Sequence, residues 1–108
     1  MNAFETIKKI GVVPVVVLSD ENFAEPLADA LTQGGLPLAE ITFRTAAAES
    51  VIARIKAHAP QMLVGAGTVL SAAQAERAIN AGAEFIVSPG FNEKTARFCS
   101  DRKVPYFP

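Results

Sequence analysis

A chain of 108 residues with a formal net charge of -1 and a pI near 5.8 has room for one domain, and it excludes a basic footprint for nucleic acid or a polybasic membrane anchor. Half of its residues are hydrophobic and 19% are charged, a soluble globular composition with enough apolar material for a core. The single cysteine, Cys99, excludes an internal disulfide and fits a reducing compartment, so the expected location is the cytoplasm.

Met1 to Ile10 (MNAFETIKKI) has no long apolar run behind a basic start. It is therefore no signal peptide, and Ala3–Ile10 reads as a short helix that Asn2 and Glu5 could open with a capping box. The run GVVPVVVL that follows is far too short to span a bilayer, and Val12–Leu18 reads as the first strand. Phe23–Gln33 has helical spacing and ends on Gly34–Gly35, where a C-terminal cap belongs. Pro26 conflicts locally: it cannot donate a helical hydrogen bond, so the helix starts near it or kinks there. Leu38–Phe43 is the second strand and Ala46–His58 the next helix. Leu63–Val69 (LVGAGTV) is the third strand, followed by a helix over Ala72–Asn80 that opens on SAAQ, Ser71 to Gln74, and closes at Ala81–Gly82. Phe85–Val87 is the fourth strand, Glu93–Ser100 a helix capped by Asn92, and Val104–Phe107 the fifth strand.

Strand starts recur about every 20 to 26 residues with a helix after each, the pattern of βα repeats. Val-rich strands predict a parallel sheet covered on both faces. Two architectures satisfy this pattern. One is a five-stranded doubly wound sheet; the other is part of a (β/α)8 barrel, whose full form takes about 250 residues. The chain stops at VPYFP with no helix behind its last strand. A bare parallel edge is an aggregation hazard, so the expectation is a fragment or a truncated gene product.

Within LAEITFRT, Glu40, Thr42 and Arg44 stand at alternate positions and project from one face of a strand, with Ile41 and Phe43 on the other. At a rise of about 3.3 Å per residue, Glu40 and Arg44 are roughly 13 Å apart at Cα, too far for a simple ion pair. Glu40 then lies deeper in the sheet and Arg44 at the strand's C-terminal end, where parallel α/β folds bind ligands. A carboxylate pointing into a barrel loses hydration, which raises its pKa and suits it to passing protons. An arginine at the rim can hold a substrate carboxylate through two hydrogen bonds. Spacing alone leaves open the alternative of a polar strand face turned to water.

In VGAGTVL, Gly65 and Gly67 remove side chains where backbone or substrate must come close, and Thr68 presents a hydroxyl at the strand end. The stretch lacks the third glycine and the downstream acidic residue of a dinucleotide fingerprint, so no such cofactor is expected. VSPG ends the fourth strand, where Pro89 and Gly90 make either a plain turn or a rigid wall for a small ligand. His58 reads as a solvated helix end and Cys99 as packing or surface. No cluster has metal-ligand spacing.

EITFRT, VGAGTVL and VSPG at these separations resemble the 2-keto-3-deoxy-6-phosphogluconate/4-hydroxy-2-oxoglutarate (KDPG/KHG) aldolase family, and the likeness extends to PVVVL, EPLADALTQGG and VPYFP. The resemblance implies an α/β fold, the first half of a (β/α)8 TIM barrel formed by residues 1–108 as a single partial domain. It implies a class I (Schiff-base) aldolase, homotrimeric in its full-length parent, that cleaves a keto acid to pyruvate and an aldehyde with no cofactor and no metal. By position, Glu40 resembles the general acid/base, Arg44 and Thr68 the pair that holds pyruvate's carboxylate and carbonyl region, and Pro89 the residue packed against bound pyruvate. The family's Schiff-base lysine, on a sixth strand in a KFFPA-like motif, has no counterpart here. Lys8, Lys9 and Lys56 fall on predicted helices, Lys103 lies on the wrong end, and Lys94 falls in the first turn of a helix. Two further readings stay beside this one: a non-catalytic half-barrel, and a flavodoxin-like binding domain for which LSDEN, Leu18 to Asn22, is the only acidic cluster.

Overall fold

Five parallel strands lie side by side in chain order, β1-β2-β3-β4-β5, in the computed structural model, which describes residues 2–108. Met1, the first residue of the stretch read above as no signal peptide, lies outside the described residues. The elements are α1 (Ala3–Ile10), β1 (Val15–Val16), a 3-10 turn (Glu21–Phe23), α2 (Ala24–Gln33), β2 (Leu38–Thr42), α3 (Ala48–His58), β3 (Leu63–Gly67), α4 (Ala72–Ala81), β4 (Ile86–Val87), α5 (Glu93–Asp101) and β5 (Tyr106–Phe107).

The capping chemistry expected from sequence is in place. Asn2, Ser71 and Asn92 accept from the backbone N–H groups of Glu5, Gln74 and Thr95, each three residues on. Gly82 closes α4 at φ 117°, and at the end of α2 it is Gly35, at φ 87°, that takes the left-handed turn. Pro26 is the third residue of α2, in the first turn, where the missing N–H would have had no helical partner. The conflict it posed is thereby resolved.

β1, β4 and β5 are shorter than the runs predicted for them. Pro14 and Pro105 stand just before β1 and β5 and have no N–H, so there the ladder continues through their carbonyls alone, which accept from Glu40 and Ile86 at 2.9 and 3.0 Å.

Consecutive parallel strands without a reversal of order are the arrangement of a (β/α)8 barrel. A doubly wound sheet reverses at a switch point, so the flavodoxin-like alternative is overturned. Its acidic cluster has local work instead. Asp20 caps the 3-10 turn through Asn22 N, and Glu21 lies 3.7 Å from Arg54. Arg54 also grips Glu25 at 2.8 and 2.9 Å, joining α3 to α2 and holding the Glu25 carboxyl below its ordinary range.

The main core lies between the helices and the outer face of the sheet, where Ala39, Ile41, Val64, Ala66 and Ile86 are buried. Ala24, Ala28, Ala75 and Ala78 bring the helices close to that face. On the inner face a smaller cluster of Leu38, Leu63 and Phe85 is covered by Ala3, Ile7 and Ile10 of α1. Leu38 and Leu63 open their strands, so α1 covers only the N-terminal end of this face. The expectation of two covered faces therefore holds in full for the outer one; on the inner one β2 and β3 are buried, but Val15 and Val17, on the Glu40 side by register, are 59% and 49% exposed.

Candidate active site

Every residue of β2 is buried, yet alternation puts Leu38, Glu40 and Thr42 on the inner face and Ala39 and Ile41 in the main core. Glu40 is 8% exposed. Its carboxylate has no hydrogen-bond partner among the described residues, and it lines a cavity of about 200 Å³ with Ile7, Val13, Phe85, Val87 and Phe107. That apolar lining removes water from the carboxylate and pushes its pKa up, against the opposing pull of the Arg44 charge.

β2 ends at Thr42, one residue short of the predicted Phe43, and Arg44 sits in the turn just beyond the strand's C-terminal end. It is exposed at the C-terminal end of the sheet, and its Nε donates to Thr68 Oγ1 at 3.4 Å. Thr68 has φ 53°, a left-handed conformation that is costly for a β-branched residue. The strain turns the chain sharply after Gly67 and presents the hydroxyl to Arg44. Glu40, Arg44 and Thr68 are thus brought together across β2 and β3.

Pro89 follows β4 at the same end, exposed, and reaches the cluster only through its neighbour. Ser88 Oγ donates to Val69 O at 2.7 Å, and Ser88 N to Phe107 O at 3.0 Å. Ser88 thereby ties the turn after β4 to the segment after β3 and to the last residue of β5. Sequence reasoning passed over Ser88, a small polar residue in a turn with nothing in its neighbours to mark it. It also left Thr42 without a role, and the buried Thr42 hydroxyl has no hydrogen-bond partner among the described residues.

None of the five lysines lines the cavity around Glu40, and Arg44 is the charge that acts on it. Lys56 is engaged at the opposite end, donating to Pro60 O at 2.8 Å, Met62 O at 2.7 Å and Glu84. Lys94 is exposed in the first turn of α5. His58 ends α3 and pairs with Asp29 at 2.8 Å. Cys99 is fully buried, which pushes its thiol up and leaves it as packing. No group of three metal-ligating side chains is found among the described residues.

A family model described as KDPG and KHG aldolase matches residues 4–108. The chain is 46% identical over 105 residues to the 2-dehydro-3-deoxy-phosphogluconate aldolase of Treponema pallidum, covering 97% of this chain and 50% of that protein. It is 39% identical to the KHG/KDPG aldolase of Escherichia coli K12, covering 96% and 49%. A solved KDPG aldolase of Legionella pneumophila, with pyruvate captured at low pH as a covalent carbinolamine intermediate, superposes with a TM-score of 0.89 at 33% identity, covering 95% and 50%. The chain spans about half the length of the relatives it matches.

Proposed function

The chain belongs to the KDPG and KHG aldolase family, and on that premise we propose that it supplies the acid/base and anchoring half of a class I aldolase site. The observation that carries this is the buried, partnerless Glu40 carboxylate set one step below the Arg44–Thr68 pair. Arg44 offers two parallel donors to the carboxylate of a keto acid, and Thr68 fixes the adjacent carbonyl region. Glu40, raised toward neutrality by its apolar cavity, can give and take the protons that carbinolamine formation, dehydration and carbon–carbon cleavage require. Pro89 is the rigid wall against which the small product rests.

The amine that forms the Schiff base lies outside these residues. Covalent activation through an amine is supported by the carbinolamine held by the Legionella pneumophila relative. The substrates are 2-keto-3-deoxy-6-phosphogluconate, cleaved to pyruvate and glyceraldehyde 3-phosphate, and 4-hydroxy-2-oxoglutarate, cleaved to pyruvate and glyoxylate. The working form is a cytoplasmic homotrimer of complete barrels. A second reading, a non-catalytic half-barrel, is favoured by the placement of all five lysines outside the cavity around Glu40 and by the exposed Val15 and Val17.

Fusing this chain to the C-terminal half of the Treponema pallidum aldolase separates the two. Under the first reading the fusion releases pyruvate from the keto acid and gains a covalent adduct with pyruvate and borohydride. Glu40→Gln then lowers turnover by about a hundredfold or more while pyruvate still binds. A folded fusion with no adduct, or with turnover unchanged by Glu40→Gln, overturns it.

A further inference from the structure

Gly65 and Gly67 both face the inner side of β3, and each leaves room for a different neighbour. A Cβ added at Gly65 would overlap the Phe85 ring carbons Cε2 and Cζ. The bare backbone there lets the ring lie across the strand and form part of the wall around Glu40. A Cβ added at Gly67 would overlap Glu40 Oε2 and lie 2.8 Å from Glu40 Cγ, closer than unbonded carbons can approach. In the strand register Glu40 stands beside Gly65, and Thr42 beside Gly67. The Glu40 side chain therefore leans along the strand, toward the C-terminal end, to reach the uncovered backbone of Gly67.

The usual reason for a glycine does not apply at this position. The left-handed glycines are Gly11, Gly35 and Gly82, and the strain after β3 is carried by Thr68 instead. An alanine would suit the backbone of residue 67 and would even favour the strand. What it would displace is the carboxylate.

The geometry points to Gly67 as a positioning residue: its missing side chain is the seat that holds the Glu40 carboxylate across β3, turned toward Arg44 and Thr68. Calling this positioning rather than packing rests on Glu40 being the acid/base group proposed above. Without the seat, Glu40 swings out over the open part of the inner face, regains water, and loses both its depth and its direction. Gly67 thus acts on the chemistry through Glu40 and touches no substrate itself.

The test is a double-mutant cycle on this chain, read by urea unfolding, with the Glu40 side-chain carboxyl followed by carbon NMR through a pH titration. Gly67→Ala is expected to lower the folding equilibrium constant by about threefold in the parent, a modest loss because the atoms it strikes are the outer part of a flexible side chain that regains water as it swings aside. In a Glu40→Ala background it is expected to be neutral or stabilising, because the atoms it would strike are gone. In Gly67→Ala the Glu40 carboxyl is expected to titrate at lower pH than in the parent, as rehydration removes the cause of its upward shift. Equal penalties in the two backgrounds, or a Glu40 titration that does not move, would overturn the seat. If Gly67→Ala alone fails to fold, the double variant decides: a folded double variant supports the seat and an unfolded one refutes it. None of these readouts uses catalysis. A coupled pair together with an active Glu40→Gln fusion would leave the seat standing and remove the acid/base role.

Discussion

Glu40 costs the fold stability in its ionised form, because the cavity around it is apolar and its strongest opposing influence, Arg44, stands in solvent at the rim. Its pKa is raised in the folded chain, so between its unfolded and folded values the native state holds more protons, and stability falls as pH rises through that window. Glu40→Gln removes the charge and keeps the shape. It is expected to raise the urea midpoint at neutral pH, and the gain should vanish below pH about 4, where the unfolded carboxyl is protonated too. Urea titrations at several pH values check this, and a constant gap at every pH would contradict it. Alternation alone put Glu40, Thr42 and Arg44 on one face. It could not say that the polar face turns inward, since a solvated edge strand has the same period. Nor could it reveal the left-handed φ of Thr68, which depends on where the chain must go next.

The elements are built from local rules, and most of their boundaries were readable for that reason. Asn92 is a clear instance: its Oδ1 accepts from both the N–H and the hydroxyl of Thr95, at 2.9 and 3.0 Å, at the start of α5. Asn92→Ala should cost about 1 kcal/mol in thermal or chemical unfolding, typical of a lost side-chain cap. A cost near zero would mean that α5 starts without it. The strands were less legible. Val12–Leu18 contains six strand-forming residues around Pro14, but the strand is only Val15–Val16, since Pro14 lacks a donor and pairing is decided by the neighbouring strand. Helices carry their hydrogen bonds within themselves, whereas a strand's extent belongs to its partner.

Across the whole molecule the two faces of the sheet are unequal, and two substitutions measure the difference. Ile41 is fully buried between β2 and the helices, so Ile41→Ala should cost about 3 kcal/mol through lost burial and the cavity left behind. Val15→Thr, on the exposed inner side of β1, should change stability by less than about 0.5 kcal/mol. Equilibrium unfolding of both variants tests the asymmetry; a large cost at Val15 would mean that the inner face is covered in solution. The same asymmetry explains the site. Glu40 is buried by its immediate neighbours, Phe85, Ile7 and the backbone of Gly67, rather than by a closed interior.

Sequence by itself determined the βα repeat, the caps and the identity of the groups able to do chemistry, because these depend on local periodicity and on functional groups. The joint spacing of EITFRT, VGAGTVL and VSPG carried the family as well. Periodicity alone left a doubly wound sheet and a barrel open, since both share the same local pattern and differ in which strands become neighbours; the family likeness implied the barrel, and the strand order agrees with it. Only the tertiary structure decided that Gly67 lies under the Glu40 carboxylate and Gly65 under Phe85. Those contacts join residues 20 or more positions apart, and no period within a single strand encodes what an adjacent strand will lay across it.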